Sequence, residues 1–144
     1  MFERFTEEAR QTMHSSKYQT DLLGSPKVET EHILLALLED IRLTNRFLEG
    51  LSVENMRGEI FALVTRKPLP LLPRDIPLSR DARQALLFAG EEADLLGDGH
   101  VSNHHILLGL LRLENCLAAQ VLRQEGLSAD KVRSRITASN EPKL

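Results

Sequence analysis

The sequence predicts an all-α protein made of two pseudo-symmetric four-helix repeats packed as one double domain. A ten-residue stretch, 29–38, recurs 73 residues later as 102–111. The apolar residues are nearly all aliphatic, with no Trp and one Tyr, which favours helices over sheets. Four of the six prolines lie in one segment between the two copies. Fixed self-similarity of this kind is typical of repeat architectures.

The first helix of each repeat is expected to begin after Thr6 or Ser79, because hydroxyl residues are good N-caps. Gly24 and Gly97 stand where these helices should end, as glycine commonly does just past a helix. The second copy shows its buried face plainly, as Leu78, Ala82, Leu86, Ala89, Ala93 and Leu96. Both copies therefore open with an amphipathic helix.

The recurring stretch itself predicts the second helix of each repeat. Thr30 and Asn103 are the expected N-caps. The apolar positions that follow fit one face of a helix in the first copy: Ile33, Leu34, Leu37, Leu38 and Ile41. We expect both second helices to be buried.

Two shorter helices complete each repeat. The third is expected around 45–48 and 117–123, ended by Gly50 or Gly126, and Ser52 or Ser128 then opens the fourth. In this part the two copies differ by a short insertion near Cys116. The predicted boundaries are repeat one at 1–64, a proline-rich linker at 65–77, repeat two at 78–137 and a polar tail at 138–144.

Composition argues against several classes of protein. The net charge is −3 and no basic stripe is visible, which disfavours nucleic acid as a partner. The longest apolar run, 33–38, is far shorter than the roughly 20 residues that span a bilayer, and the N-terminus lacks the apolar centre of a signal peptide. We therefore expect no membrane association and a cytoplasmic location.

Motifs for cofactors and metals are also missing from the sequence. The phosphate loop, the dinucleotide-binding glycine motif and His-Glu-x-x-His are absent. His100, His104 and His105 lie close in sequence, but no cysteine or acidic triad follows at ligand spacing. Cys116 cannot form an internal disulfide and is expected to be a small buried or half-buried thiol. The sequence therefore predicts no cofactor and no metal.

Two stretches carry a family resemblance, Phe5-Thr6-Glu7-Glu8-Ala9-Arg10 and the paired Thr-Glu-His-Ile-Leu-Leu-Ala-Leu-Leu type segments. From Met1 to about Ile136 the chain resembles the Clp N-terminal repeat domain, and within it the ClpC branch. The resemblance implies an all-helical pseudo-dimer at the front of an AAA+ unfoldase. It implies recognition of substrate or adaptor proteins rather than catalysis.

The resemblance to ClpC-type domains also implies a binding site for phosphoarginine. Thr6 and Glu31 match the family's first site, and Ser79 and His104 occupy the matching positions of the second, where His104 lacks the fixed negative charge of a carboxylate. A helix start can accept the phosphate while a carboxylate pairs with the guanidinium. Phe2 is a further candidate contact in a surface groove, or it packs down onto the first helix.

Other interpretations remain open at this point. Glu31 and Thr6 also stabilise helix starts without any ligand. The chain is either an excised N-terminal domain or a free-standing relative that acts as a decoy or adaptor. A purely structural docking module without phosphoarginine binding is one rival, and a small hydrolase or metal enzyme using His100, His104 and Cys116 is another.

Overall fold

A computed structural model describes residues 2–64 and 75–140, with the side chains of 139 and 140 excepted. Within these ranges the chain forms eight α-helices and no strands, so the predicted all-α fold is confirmed. They are α1 (Glu7–Leu22), α2 (Thr30–Leu37), α3 (Ile41–Phe47), α4 (Val53–Leu63), α5 (Arg80–Leu95), α6 (Asn103–Arg112), α7 (Leu117–Gln124) and α8 (Ala129–Asn140).

Helices α1 and α5 begin and end where the sequence predicts. The Thr6 hydroxyl accepts a hydrogen bond from the Ala9 N–H at 3.1 Å, and the Ser79 hydroxyl accepts one from the Ala82 N–H at 3.0 Å. Gly24 and Gly97 follow the two helices with φ of 69° and 73°. Residues with a Cβ rarely adopt this left-handed conformation, so glycine ends both helices cheaply.

Helices α2 and α6 are capped one residue earlier than predicted. The N-caps are Glu29 and Ser102, and Thr30 and Asn103 are the first helical residues. In each repeat a histidine three residues after the cap closes a capping box. The Glu29 N–H donates to His32 Nδ1 at 2.8 Å, and the Ser102 N–H donates to His105 Nδ1 at 2.9 Å. The imidazoles therefore replace the usual Glu or Gln of this motif.

Ile41 does not belong to the buried face of α2, contrary to the prediction. Its side chain is 71% exposed, and it is the first residue of α3, which thus begins earlier than expected. Asp40 starts this new helix because its side chain accepts hydrogen bonds from the N–H groups of Arg42 and Leu43.

The predicted linker and tail lie mostly outside the described residues. Of the linker at 65–77 only 75–77 are described, and of the tail at 138–144 only 138–140. Helix α8 includes Asn140, the last described residue, so it continues past the predicted end of repeat two at 137.

The core is centred on α2 and α6, which contact each other and are buried along nearly their whole length. Helix α1 packs on α2, and α5 packs on α6. The smaller helices cross between repeats, since α4 contacts α7 and α8 contacts α3. The two repeats therefore share one aliphatic core, and burial of each large side chain in it contributes about 1.5–3 kcal/mol.

None of the described helices is individually long and apolar enough to cross a membrane. Only α6 and α7 taken together meet that criterion, and they are bent by 97° at the break between them.

Candidate functional site

The segment before α1 pairs with the segment before α6 of the other repeat. Phe5 and Val101 form an isolated parallel β-bridge. The Thr6 N–H donates to the Val101 carbonyl at 3.0 Å, and the Val101 N–H donates to the Arg4 carbonyl at 2.8 Å. The start of α1 in repeat one therefore lies beside the start of α6 in repeat two.

A matching bridge joins the segment before α5 to the segment before α2. Val28 and Leu78 form the second parallel bridge. The Ser79 N–H donates to the Val28 carbonyl at 2.9 Å, and the Val28 N–H donates to the Pro77 carbonyl at 2.9 Å. The start of α5 in repeat two therefore lies beside the start of α2 in repeat one.

These bridges group the sequence-predicted site residues across the repeats. Thr6 shares its surroundings with His104, whereas Ser79 lies beside the segment that leads into Glu31. The sequence analysis grouped Thr6 with Glu31 and Ser79 with His104, whereas in the structure Thr6 and His104 line one hollow. The first helix of each repeat begins beside a segment of the other repeat, and the pattern within one repeat does not predict that contact. The binding role of all four residues stays a prediction.

The Thr6–His104 hollow has a volume of about 220 Å³ and is lined also by Arg46, Phe47 and Ser102. The Arg46 guanidinium lies 4.8 Å from the centre of the Phe47 ring. Burial lowers the pKa of His104 to about 4, and the positive charge of Arg46 and the neighbouring His105 act in the same direction. His104 is therefore neutral at pH 7 and supplies no charge to this hollow.

Glu31 is half-buried in the first turn of α2. The Thr30 hydroxyl donates a hydrogen bond to its Oε1 at 3.4 Å. Burial raises the pKa of Glu31, and the negative charges of Glu29 and Asp81 raise it further. A carboxylate in this setting gains more from a cationic partner than one in open water does.

Asp98, His104 and His105 offer potential metal-ligand atoms within 4.8 Å of one another. His105 is already committed, however. Its Nδ1 accepts the Ser102 N–H, so its proton is on Nε2, which donates to Asp98 Oδ2 at 2.8 Å. A metal bound at Nε2 would move the ring proton to Nδ1. Because a protonated Nδ1 cannot accept the Ser102 N–H, the cap of α6 would be lost. The geometry suits a structural hydrogen-bond chain better than a metal site.

Phe2 and Cys116 complete the residues singled out from the sequence. Phe2 is 36% exposed and meets Phe5 edge to face, with 5.0 Å between ring centres. Cys116 is buried, as predicted, and its Sγ accepts a hydrogen bond from the Ala119 N–H at 3.4 Å as the N-cap of α7. A buried thiol in a capping role is a poor candidate nucleophile.

The sequence analysis did not identify Arg46 and Asp98 as part of this region. It predicted Asn103 as a helix cap, whereas the structure places Asn103 as a buried residue in the wall of the Thr6–His104 hollow. Arg46 and Asp98 line a further hollow of about 250 Å³ beside Thr6 and His104. They come from a different helix and a different loop, so no spacing in the sequence connects them. The capping histidines did carry a signal, since His32 and His105 each stand three residues after a potential cap.

The fold and the two β-bridges between the repeats define a class of protein. It is an all-helical tandem-repeat domain in which the first helix of each repeat begins beside a segment of the other repeat. The Clp repeat (R) N-terminal domain model matches residues 4–125 and 77–141. The chain therefore belongs to the Clp N-terminal repeat domain family.

Individual relatives agree with this assignment. The chain is 33% identical over 139 residues to the chaperone protein ClpC2 of Arabidopsis thaliana chloroplasts, and 34% identical over 139 residues to the chaperone protein ClpB of Oceanobacillus iheyensis. These matches cover 94% of this chain but only 14% and 17% of the two relatives. The similarity thus concerns one domain of much longer chaperones.

A solved structure supports the fold independently. The N-terminal domain of the chaperone ClpD from Arabidopsis thaliana has a TM-score of 0.76 and 22% identity, and the match covers 98% of this chain and 97% of that one. At this identity the likeness shows the fold alone.

Proposed function

We propose that this domain docks substrate or adaptor proteins for a Clp-type unfoldase, and that the Ser79–Glu31 surface recognises phosphoarginine. The observation that supports the proposal is the Val28–Leu78 bridge, because it joins the segment before α5 to the segment before α2, and Glu31 lies half-buried in the first turn of α2. A helix start favours an anion, and a carboxylate favours a guanidinium. Phosphoarginine carries both groups on one side chain.

The charges around Glu31 set the terms of this recognition. Glu29 and Asp81 are close enough to raise the pKa of Glu31, so the surface is locally negative. A free phosphate would be repelled by these carboxylates, whereas the guanidinium of phosphoarginine is attracted. We therefore expect the modified arginine to bind and inorganic phosphate to bind poorly.

The Thr6–His104 hollow is expected to be the weaker of the two. It keeps the capping hydroxyl of Thr6, but the position that matches Glu31 holds a neutral histidine. The guanidinium of Arg46 lies in the same hollow and would repel another guanidinium. A doubly modified substrate would thus gain little avidity from this second position.

Calorimetric titration with a phosphoarginine peptide tests the proposal, with the same peptide carrying unmodified arginine as the control ligand. We expect about one site per chain. Glu31→Ala and Ser79→Ala should each weaken it, and the double variant should be little worse than Glu31→Ala alone because both act at one site. His104→Glu should add a second site that Thr6→Ala removes.

The opposite coupling would overturn the grouping. If Thr6→Ala, rather than Ser79→Ala, is non-additive with Glu31→Ala, the ligand bridges a different pair of helix starts. If the folded protein releases no heat with the modified peptide, it is a docking module without phosphoarginine recognition. Its effect on an unfoldase at excess concentration would then distinguish a decoy from a structural part.

A further inference from the structure

A separate hollow of about 400 Å³ lies between α1 and the connection from α2 to α3. Its wall includes Glu8 and Thr12 of α1, Glu39 and Asp40 of the connection, and Asn103 of α6. The carboxylates make it predominantly acidic. It adjoins the Thr6–His104 hollow, since Glu8, Asp40 and Asn103 line both.

Asn103 gives this hollow an unused buried acceptor. The residue is 5% exposed, and its Nδ2 donates to Asp40 Oδ2 at 2.7 Å. That bond fixes the orientation of the amide, because the reverse orientation would place two oxygens together. Asn103 Oδ1 is then left buried without a hydrogen-bond partner among the described residues. Such an atom is costly unless a donor reaches it.

The acidic side chains of the hollow have few positively charged neighbours among the described residues. Within residues 2–64 and 75–140, Glu8, Glu39 and Asp40 form no ion pair. Asp40 is held by backbone N–H groups, and Glu39 Oε1 accepts hydrogen bonds from Ser15 at 3.2 Å and Gln19 at 2.9 Å. Arg42 is the one cation in the described wall, so the local charge remains negative.

Repeat two shows what occupies the same place there. The counterpart of Glu39, 73 residues further on, is Arg112. Its guanidinium lies 4.0 Å from the centre of the Phe88 ring, at the position of Ser15, and donates to Glu92, at the position of Gln19. Repeat two therefore fills this position with its own cation and aromatic ring. Repeat one has a small hydroxyl and a carboxylate instead.

We propose that the hollow formed by Glu8, Ser15, Glu39, Asp40 and Asn103 binds the side chain of an arginine or lysine from a docked protein. The cation would compensate the carboxylates, as Arg112 does for Glu92 in repeat two. Its N–H groups would supply the donor that Asn103 Oδ1 lacks. Because the hollow adjoins the Thr6–His104 hollow, a segment crossing that surface places a basic residue here.

This inference rests on the proposed function only in that the cation belongs to a docked protein. It concerns unmodified basic residues and a different wall from the Ser79–Glu31 surface. Failure of phosphoarginine binding would therefore leave it untouched, and its own failure would not affect that surface.

The test is a titration followed by two-dimensional amide NMR, with N-acetyl-argininamide and N-acetyl-lysinamide as probes. N-acetyl-citrullinamide is the control ligand, because it keeps the shape of arginine without the charge. We expect both cations to shift the Asn103 side-chain amide and the backbone amides of Arg42 and Leu43. The shifts should shrink as salt is raised, and citrulline should produce none.

Variants then tie the shifts to the hollow. Glu8→Gln with Glu39→Gln should weaken the apparent affinity roughly tenfold, because two charge-assisted contacts are lost. Glu54→Gln, an exposed charge removed from α4, should change nothing. Ser15→Phe with Gln19→Glu and Glu39→Arg grafts the arrangement of repeat two and should abolish binding.

Equal shifts with citrulline, equal affinity in the double glutamine variant, or no shift at Asn103 would each overturn the proposal. If the grafted triple variant does not fold, the double glutamine variant still decides the matter, because it changes only exposed side chains.

Discussion

Repeat one and repeat two have the same order of helices but differ in how their charged side chains are paired. In repeat two, Glu92 is 1% exposed and its carboxylate is bound by Arg112 at 3.3 Å and by Arg133 at 2.7 Å. In repeat one, the matching positions hold Gln19 and Glu39, which hydrogen-bond to each other at 2.9 Å, and Glu39 lines a hollow. Repeat two compensates its charges internally and is the more self-contained half. Among the described residues, repeat one leaves the carboxylates of Glu8, Glu39 and Asp40 without an ion pair.

The packing of the two halves differs in the same sense. A Cβ on Gly109 of α6 would clash with the carbonyl oxygen of Ala85 on α5. The matching residue of repeat one is Ala36 of α2, which faces α1 with its Cβ in place. The backbones of α5 and α6 therefore come very close at this point, which only glycine permits. The comparison suggests a tight, structural second repeat and a more open first repeat.

The largest expected effect is the removal of Glu92. Glu92→Ala removes the buried carboxylate that Arg112 and Arg133 share and leaves each guanidinium only a more exposed carboxylate. We expect a loss of about 3 kcal/mol in the free energy of unfolding, measured with urea, because hydrogen bonds from two charged groups are lost. The matching change in repeat one, Gln19→Ala, removes only an exposed-side hydrogen bond and should cost less than about 1 kcal/mol. Equal losses would contradict the assignment of charge compensation to repeat two.

The capping histidines predict a dependence on pH. Burial lowers the pKa of His32 to about 4, so between pH 6.5 and 4 the unfolded chain binds more protons than the folded one. Stability should therefore fall as the pH drops through this window, by roughly 3 kcal/mol for His32 in full. Glu31 acts in the opposite direction, because its pKa is raised and its contribution is lost as the pH rises. Denaturation of a Glu31→Gln variant separates the two.

The same histidines sharpen the comparison between repeats. Burial lowers the pKa of both histidines, but the hydrogen bond to Asp98 raises the pKa of His105 and so works against its burial. By NMR titration His105 should accept its proton at a higher pH than His32. Asp98→Asn should bring the two values closer. A His105 pKa unchanged by that substitution would mean that Asp98 does not bind it in solution.

Gly109→Ala should destabilise the protein by about 2–3 kcal/mol, because the new methyl group forces α5 and α6 apart. Gly90→Ala is the matched control in α5, where a Cβ meets nothing within 4 Å. There we expect a gain of about 0.5–1 kcal/mol from helix propensity. Thermal unfolding of both variants measures the difference. Similar losses of stability in the two variants would contradict the close approach of α5 and α6 at Gly109.

The smallest effect concerns the joint between the repeats. Arg135 of α8 donates to the Phe47 carbonyl at 2.6 Å, at the end of α3. Arg135→Ala should cost about 1 kcal/mol, since one hydrogen bond from a charged group is lost. Arg83→Ala, which removes an exposed arginine from α5, should be neutral in the same urea experiment. Equal behaviour would mean that α8 is held by its apolar face alone.

Much of this fold follows from local patterns. The starts of α1, α5 and α4, the glycine ends after α1 and α5, and the buried second helices were all predicted, because caps and helical periodicity act over a few residues. The errors were local too. The apolar periodicity assigned Ile41 to α2, but Asp40 caps a new helix that begins at Ile41. The caps of α2 and α6 lie one residue earlier than predicted, because a histidine at the third helical position completes a capping box there.

By itself the sequence determined that two similar four-helix repeats exist and where α1, α4, α5 and α8 begin. Only the tertiary structure decided which helix starts meet. Two backbone bridges between distant segments bring Thr6 to His104 and Ser79 to the approach to Glu31, and hydrogen bonding between segments so far apart leaves no periodic trace. The unpartnered Asn103 oxygen and the open hollow beside it arise in the same way, because they depend on three helices packing together rather than on any one of them.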